Sequence, residues 1–299
     1  MASNATIQPA AGRAVSARRM ADGYALFWGA PLALWQLAFF VAPLAFLVVM
    51  TFWTVKNFRL EPDFDTVNWV KMFSKGYVID IYFRTLGYGA LAAVVCSALA
   101  FPASYALAFK ASPAFQRIGL FIVITPFFTS YLVRIYSWQV VISDNGLLNG
   151  IFGYLGLGPF DMQSTLFGTM IGYVTLTLPL VILLQFFSLS GVDRNLIEAA
   201  HNLGCGRLRT VLLVIVPSAK TGLILAGTFA FILCFGDLVS PTSLGGGKAP
   251  TLSILLNDSV KQGNHWPRAA VVAVVMVFTL IVVAFTALYF AYGVKKSKT

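Results

Sequence analysis

The sequence predicts an all-α integral membrane protein with six spanning helices, and three observations carry that prediction. Of the 299 residues, 58% are hydrophobic and only 11% charged, whereas a soluble domain carries about a quarter charged residues. Six apolar runs each reach the roughly 20 residues that a helix needs to cross a bilayer. Between the fourth and fifth runs lies one polar segment with helix start and stop signals of its own.

The runs follow in order. Residues 1–28 form a polar N-terminal tail with Arg13, Arg18 and Arg19. The first span is Gly29–Val55, interrupted by Pro31 and Pro43. The second is about Thr85–Phe109, the third Ile118–Ile142 and the fourth Leu166–Ser188. The fifth is about Gly222–Leu244 and the sixth Ala269–Tyr292, leaving 293–299 as a C-terminal tail and 29–292 as one transmembrane domain. Prolines 43, 102, 126 and 179 are expected to kink or thin helices rather than end them, because neighbouring helices satisfy the freed carbonyls. The Gly-rich stretch 143–165 carries no Lys or Arg and reads as a short re-entrant or interfacial element.

The net charge of +10 would suggest nucleic acid in a soluble protein. Here the cations mark loops and the lipid headgroup surface instead, and no basic–aromatic stripe lies in a soluble region. With both termini inside, twelve Lys and Arg fall on the cytoplasmic side and eight outside, which sets the orientation. Cys96, Cys205 and Cys234 imply no disulfide framework, and His201 and His265 share no ligand spacing with them, so neither a metal nor a cofactor is expected in the chain. Gly245-Gly246-Gly247-Lys248 fails as a phosphate loop: Ala249 follows the lysine, the leading glycine is missing and no strand precedes it.

Two ionisable residues fall inside spans, Arg134 and Asp237, and charges there are functional-site candidates. Counted along straight helices from Arg117 and Gly222, they lie about 25 Å and 23 Å from the cytoplasmic side, at similar height. Asp237 could line a solute path and favour a cation, or pair with Arg134. Alternatively Arg134 reaches an aromatic belt of Tyr131, Tyr136 and Trp138 at the outer interface. Asp237, Arg134, Tyr131 and Trp138 are the path candidates.

The polar segment 191–217 holds Glu198-Ala199-Ala200-His201-Asn202-Leu203-Gly204 and ends in Val214-Ile215-Val216-Pro217. Leu196, Ile197, Ala200 and Leu203 recur at helical spacing. Asp193 suits an N-cap, and Gly204 a helix end that needs positive φ. A second helix begins near Arg207, and Pro217 closes it. Lying between two apolar runs, this elbow must protrude into water. It resembles the EAA loop of ATP-binding-cassette (ABC) importer permeases: Glu-Ala-Ala, three residues, Gly, nine residues, then Ile-x-Leu-Pro. Glu198, Ala199, Ala200, Gly204 and Pro217 match, while Val214 and Val216 stand for Ile and Leu.

A narrower resemblance covers about residues 30–292. Pro126-Phe127-Phe128-Thr129-Ser130-Tyr131-Leu132-Val133-Arg134-Ile135-Tyr136-Ser137-Trp138 is similar to the third-helix signature of spermidine/putrescine permeases of the type I ABC importers. Asn145-Gly146-Leu147-Leu148-Asn149, Gly236-Asp237 and Trp266-Pro267-Arg268-Ala269-Ala270 follow in order. Such permeases also carry opines, phosphonates and amino-acid-like amines. The resemblance implies the type I importer permease fold in a bacterial inner membrane, paired with a second homologous permease. It further implies two ATPase subunits that bind ATP and Mg, with Glu198 at their contact, and a periplasmic binding protein delivering solute. No Walker motif is present, so the chain is not expected to hydrolyse ATP. A secondary transporter, the alternative from another class, would show inverted repeats and a second intramembrane acid, and neither is evident.

Overall fold

A computed structural model describes residues 28–56, 59–262 and 265–293. The expected terminal tails, with Arg13, Arg18, Arg19, Lys295, Lys296 and Lys298, lie outside the described residues apart from Trp28 and Gly293. Helix α1 runs Trp28–Met50. Pro43 has no N–H for the carbonyl one turn earlier, and the helix widens into a π turn at Leu37–Val41 instead of breaking. The helix ends five residues before the expected boundary, because Thr54–Lys56 (β1) pairs antiparallel with Arg59–Glu61 (β2). Asn68 fastens this hairpin, its Nδ2 donating to the Thr51 and Trp53 carbonyls at 2.9 and 2.8 Å. A small strand pair thus stands beside an otherwise helical chain.

Helix α2 (Val67–Phe73) leads into α3 (Gly76–Lys110), 35 residues long and continuous through Pro102. Helix α4 (Pro113–Phe128) starts at Ser112, whose side chain caps the Phe115 N–H. The expected third span does not continue straight: after α4 comes α5 (Tyr131–Ile142), and the segment Tyr131–Tyr154 that it opens is bent by 95° from α4. Pro126 cannot donate to a preceding carbonyl, the last turn tightens to a 3₁₀ form at Thr125–Phe128, and Thr129 and Ser130 go extended. The Thr129 hydroxyl donates to the Pro126 carbonyl at 2.9 Å, which holds the break. Pro126 therefore precedes a helix end, whereas Pro43, Pro102 and Pro179 do not.

The 143–165 stretch contains the short helix α6 (Leu147–Tyr154). Buried Asn149 pins it, exchanging hydrogen bonds with the Phe160 backbone in both directions at 2.9 and 3.0 Å. Helix α7 (Leu166–Ser190) is capped by Thr165 and runs through Pro179. Then come α8 (Arg194–Asn202), α9 (Arg207–Ser218) and α10 (Lys220–Gly236), the last two bent by 77°. The chain closes with α11 (Val239–Ser243), α12 (Leu252–Lys261) and α13 (Trp266–Tyr292). Among the described residues, four helices are long and apolar enough to cross a membrane, or six if each bent pair counts as one span.

The core is α3, α7 and α10 packed on one another, with α13 against α10 and α1 against α13. Small residues at four-residue spacing let these helices approach: Ala92, Cys96 and Ala100 on α3 meet Ala226, Ala230 and Cys234 on α10. Polar side chains tie them where lipid offers no hydrophobic drive between helices. Ser104 Oγ of α3 donates to Gln185 Oε1 of α7 at 3.0 Å, and Gln185 Nε2 donates to the Ser97 carbonyl at 3.1 Å. Gly172 on α7 faces the Ser240 side chain of α11, so closely that any β-carbon there would collide. That glycine seats α11, and with it Asp237, against the bundle.

Candidate functional site

The elbow forms as the sequence signals require. Asp193 accepts from the Asn195 N–H at 2.9 Å and starts α8. At the other end the Gly204 N–H donates to the His201 carbonyl at 2.9 Å and the Cys205 N–H to the Ala200 carbonyl at 3.0 Å. This is the paired closure that ends a helix through a left-handed residue, and Gly204 has φ +78°. A β-carbon at Gly204 would meet nothing within 4 Å, so the cost of substitution is conformational alone. Gly204→Val is expected to cost about 1–2 kcal/mol at that residue. Hydrogen exchange across 194–205 should speed up while α3, α7 and α10 stay protected; unchanged exchange would show that the turn tolerates the substitution.

Leu196, Ile197 and Ala200 of α8 and Leu203 just after it do not share one face. Ile197 and buried Ala200 turn inward, Ile197 onto the cluster of Ala108, Phe186, Leu189 and Ile215. Leu196 is half-exposed, Leu203 is 88% exposed, and Leu208 on α9 is 74% exposed. Ala199 and Glu198 are also exposed. Pro217 lies in the last turn of α9, and the chain turns at Ala219. A cleft of about 670 Å³ separates the elbow from the end of α3. Glu198, His201, Arg194, Arg207 and Lys110 line it, with Tyr105 at its wall. The elbow thus presents apolar tips and a charged cleft at one end of a helix bundle.

The second site is where two helix breaks meet. Helix α10 stops at Gly236 because Pro241 cannot donate to the Asp237 carbonyl and because the Asp237 side chain takes over the next N–H groups. Its Oδ1 accepts from the Val239 N–H at 2.9 Å, and Oδ2 from the Ser240 N–H at 3.2 Å. Oδ2 also accepts from Tyr131 Oη at 2.7 Å and from Ser240 Oγ in a short contact. Four donors surround one buried carboxylate, and Tyr131, at the start of α5, joins the two breaks.

Arg134 does not pair with Asp237. Its Nη1 donates to the Thr175 carbonyl of α7 at 3.0 Å, and its guanidinium carbon lies 5.9 Å from the Tyr131 ring centroid. Thr175 is four residues before Pro179, so its carbonyl has lost its helical donor; Arg134 supplies the replacement. The depth comparison along straight helices fails for the same reason, since both residues sit at breaks. Trp138 is two turns along α5 and is not among the residues that hydrogen-bond the Asp237 carboxylate. Sequence reasoning missed Ser240 and Thr175. The signals were the prolines at 241 and 179, each four residues after the carbonyl it strands. Among the described residues, no group of three His, Cys, Asp or Glu could hold a metal ion.

With these sites in place, comparison with known proteins is direct. The family described as binding-protein-dependent transport system inner membrane component matches residues 100–294. The spermidine/putrescine transport system permease protein PotB of Haemophilus influenzae is 25% identical over 244 residues, 80% of this chain and 84% of that protein. Its Escherichia coli counterpart is 26% identical over 203 residues, covering 67% and 74%. The inner membrane ABC transporter permease protein YdcU of E. coli is 25% identical over 256 residues, 81% and 79%. A solved bacterial ABC transporter involved in the import of the acidic polysaccharide alginate shares the fold. Its chain superposes with a TM-score of 0.74 at 15% identity, covering 93% of this chain and 98% of that one. The expected type I importer permease fold is borne out. The chain belongs to the binding-protein-dependent transport system inner membrane components, as a non-catalytic, multi-pass permease subunit of an inner-membrane ABC importer.

Proposed function

We propose that this chain forms half of the path by which an ATP-driven importer carries a small organic solute of the polyamine class, spermidine or putrescine. The observation that carries the cargo is likeness to PotB over four fifths of the chain. A second, homologous permease completes the path, and two ATPase subunits take the two elbows. Residues 29–292 are the transmembrane domain, with 191–217 as its coupling loop and both tails cytoplasmic.

Each elbow residue has a role in this reading. Glu198 and the exposed leucines contact the ATPase, Ala199 and Ala200 permit close approach, Gly204 sets the bend, and Pro217 prepares the turn into α10. The elbow is mechanically continuous with the core, because Ile197 packs on the cluster that holds Ile215 and Leu189. ATPase closure displaces α8, the displacement reaches α7 and α10 through those contacts, and the permease shifts between inward- and outward-open states. Nucleotide biases the two states because it binds one ATPase arrangement better than the other. At the other end, the path candidates Tyr131, Arg134, Asp237 and Trp138 lie at or after the two breaks. Asp237 already accepts four hydrogen bonds, so its part is to hold the breaks together around the path.

The test is uptake into vesicles holding the whole complex and its binding protein. Radiolabelled putrescine and spermidine are compared with an opine, a phosphonate and an amino acid. ATP-dependent uptake of a polyamine is the expected result. Uptake confined to one of the other solutes would overturn the cargo while leaving the importer reading in place.

A further inference from the structure

At the end of the bundle opposite the elbow, α2, the first turn of α3, α12 and the start of α13 surround a cleft of about 330 Å³. Lys71, Lys75 and Arg268 line it with a single carboxylate, Asp258. None of the three cations makes an ion pair among the described residues, and among them the Asp258 carboxylate accepts only a long bond, 3.5 Å, from Asn257 Nδ2. His265 adds a neutral donor, since burial first, then Arg268 and Lys71, push its imidazole below the usual range. Tyr77 lines the same cleft, with Lys75 Nζ 5.7 Å from its ring centroid.

Directly beside the cleft is a second hollow of different chemistry. It measures about 220 Å³ and is lined by apolar side chains including Phe73, Ile79, Phe83, Val271 and Val275. Met72 borders both hollows. The groove runs along the first turns of α3 and α13, two membrane-spanning helices, and Phe73, Ile79 and Phe83 are 42–65% exposed. Trp69 lies on α2, Tyr77 in the first turn of α3 and Trp266 opens α13, and such aromatics are enriched at a membrane–water boundary.

We propose that the two hollows are one site for an anionic phospholipid, its phosphate among Lys71, Lys75 and Arg268 and an acyl chain in the groove between α3 and α13. Charge complementarity decides the headgroup: three cations against one carboxylate leave an excess that a zwitterionic lipid does not neutralise and an anionic one does. The apolar groove decides the source. A free phosphate, or an acidic side chain of a docking protein, would use the cations and leave the groove empty. A lipid at this position bridges α2 and α12 to the ends of α3 and α13, and so steadies the face opposite the elbow.

The test uses the whole complex in nanodiscs of phosphatidylcholine with one fifth phosphatidylglycerol, and retained lipid is read by native mass spectrometry. The wild-type complex should retain phosphatidylglycerol in preference to phosphatidylcholine. Neutralising the cleft by Lys71→Gln, Lys75→Gln and Arg268→Gln should lower that preference by about fivefold per charge removed. Ile79→Trp fills the groove without touching a cation, and is expected to lower retention about tenfold. Both sets of changes lie at exposed or half-exposed positions, and co-purification of the ATPase reports that the variants still assemble. Equal retention of the two lipids by wild type would overturn the proposal. So would wild-type retention by Ile79→Trp, which would assign the cations to a soluble anion or to a protein carboxylate.

Discussion

Asp237→Ala will abolish accumulation of the folded permease, the largest effect expected of any single substitution in this chain. The carboxylate is the shared acceptor for the Val239 and Ser240 N–H groups and the Tyr131 and Ser240 hydroxyls. Each buried donor left without an acceptor costs about 1–3 kcal/mol. Even if half of them find other partners, the loss is about 2–6 kcal/mol, comparable with the net stability of a whole domain. Size-exclusion profiles and thermal melts of the complex read this directly. Asp237→Asn keeps one oxygen acceptor and should fall between wild type and alanine. Adding Arg134→Ala should not rescue Asp237→Ala, because Arg134 serves the Thr175 carbonyl instead. Rescue by the double change would show that the two charges are paired after all, contrary to the geometry.

The second large effect lies at the elbow. Leu203 and Leu208 are 88% and 74% exposed on a polar loop outside the apolar spans, where nothing among the described residues covers them. Burying each against a partner contributes about 1.5–3 kcal/mol. Leu203→Asp with Leu208→Asp removes that contribution and adds the cost of desolvating two charges. Loss of about 3–6 kcal/mol from the gain on docking lowers affinity by a hundredfold or more. The ATPase should no longer co-purify with a tagged permease, while the permease itself remains folded, because neither side chain contributes to the core. Undiminished co-purification would place the docking surface elsewhere.

The elbow was legible in the sequence because its signals are local. An N-cap at Asp193, a left-handed glycine at 204 and a helix start near Arg207 each depend on residues within one turn, and all three formed. The division of α8 was not legible from spacing alone. Leu196 and Leu203 recur at the same period as Ile197 and Ala200, and only the position of Ile215 and Leu189 decides which pair turns inward. The breaks near Thr129 and at Asp237 were missed for a related reason. Hydropathy counts apolar residues and is blind to direction, so a run containing Pro126 or Pro241 reads like a straight span. Whether a stranded carbonyl is rescued depends on a distant donor. Thr175 has Arg134 and its helix continues through Pro179; the chain at Pro126 has no such help and bends. The contact between Tyr131 and Asp237 spans more than a hundred residues and has no local mark. The strand pair after α1 escaped because Thr54 and Val55 were absorbed into the end of an apolar run, which left no strand pattern in the polar residues beyond it.

In the proposed function, a nucleotide-driven partner is coupled through the elbow to solute delivered from outside. The most direct test is ATP hydrolysis by the intact complex, purified on a tag carried by this chain. Activity is measured with empty and solute-loaded binding protein, for wild type and for Glu198→Lys. Loaded binding protein should stimulate wild-type hydrolysis, and Glu198→Lys should lose the stimulation while its permease remains folded. Stimulation that survives Glu198→Lys unchanged would contradict the role of the elbow, and a purified permease that brings no ATPase with it would contradict the coupling itself.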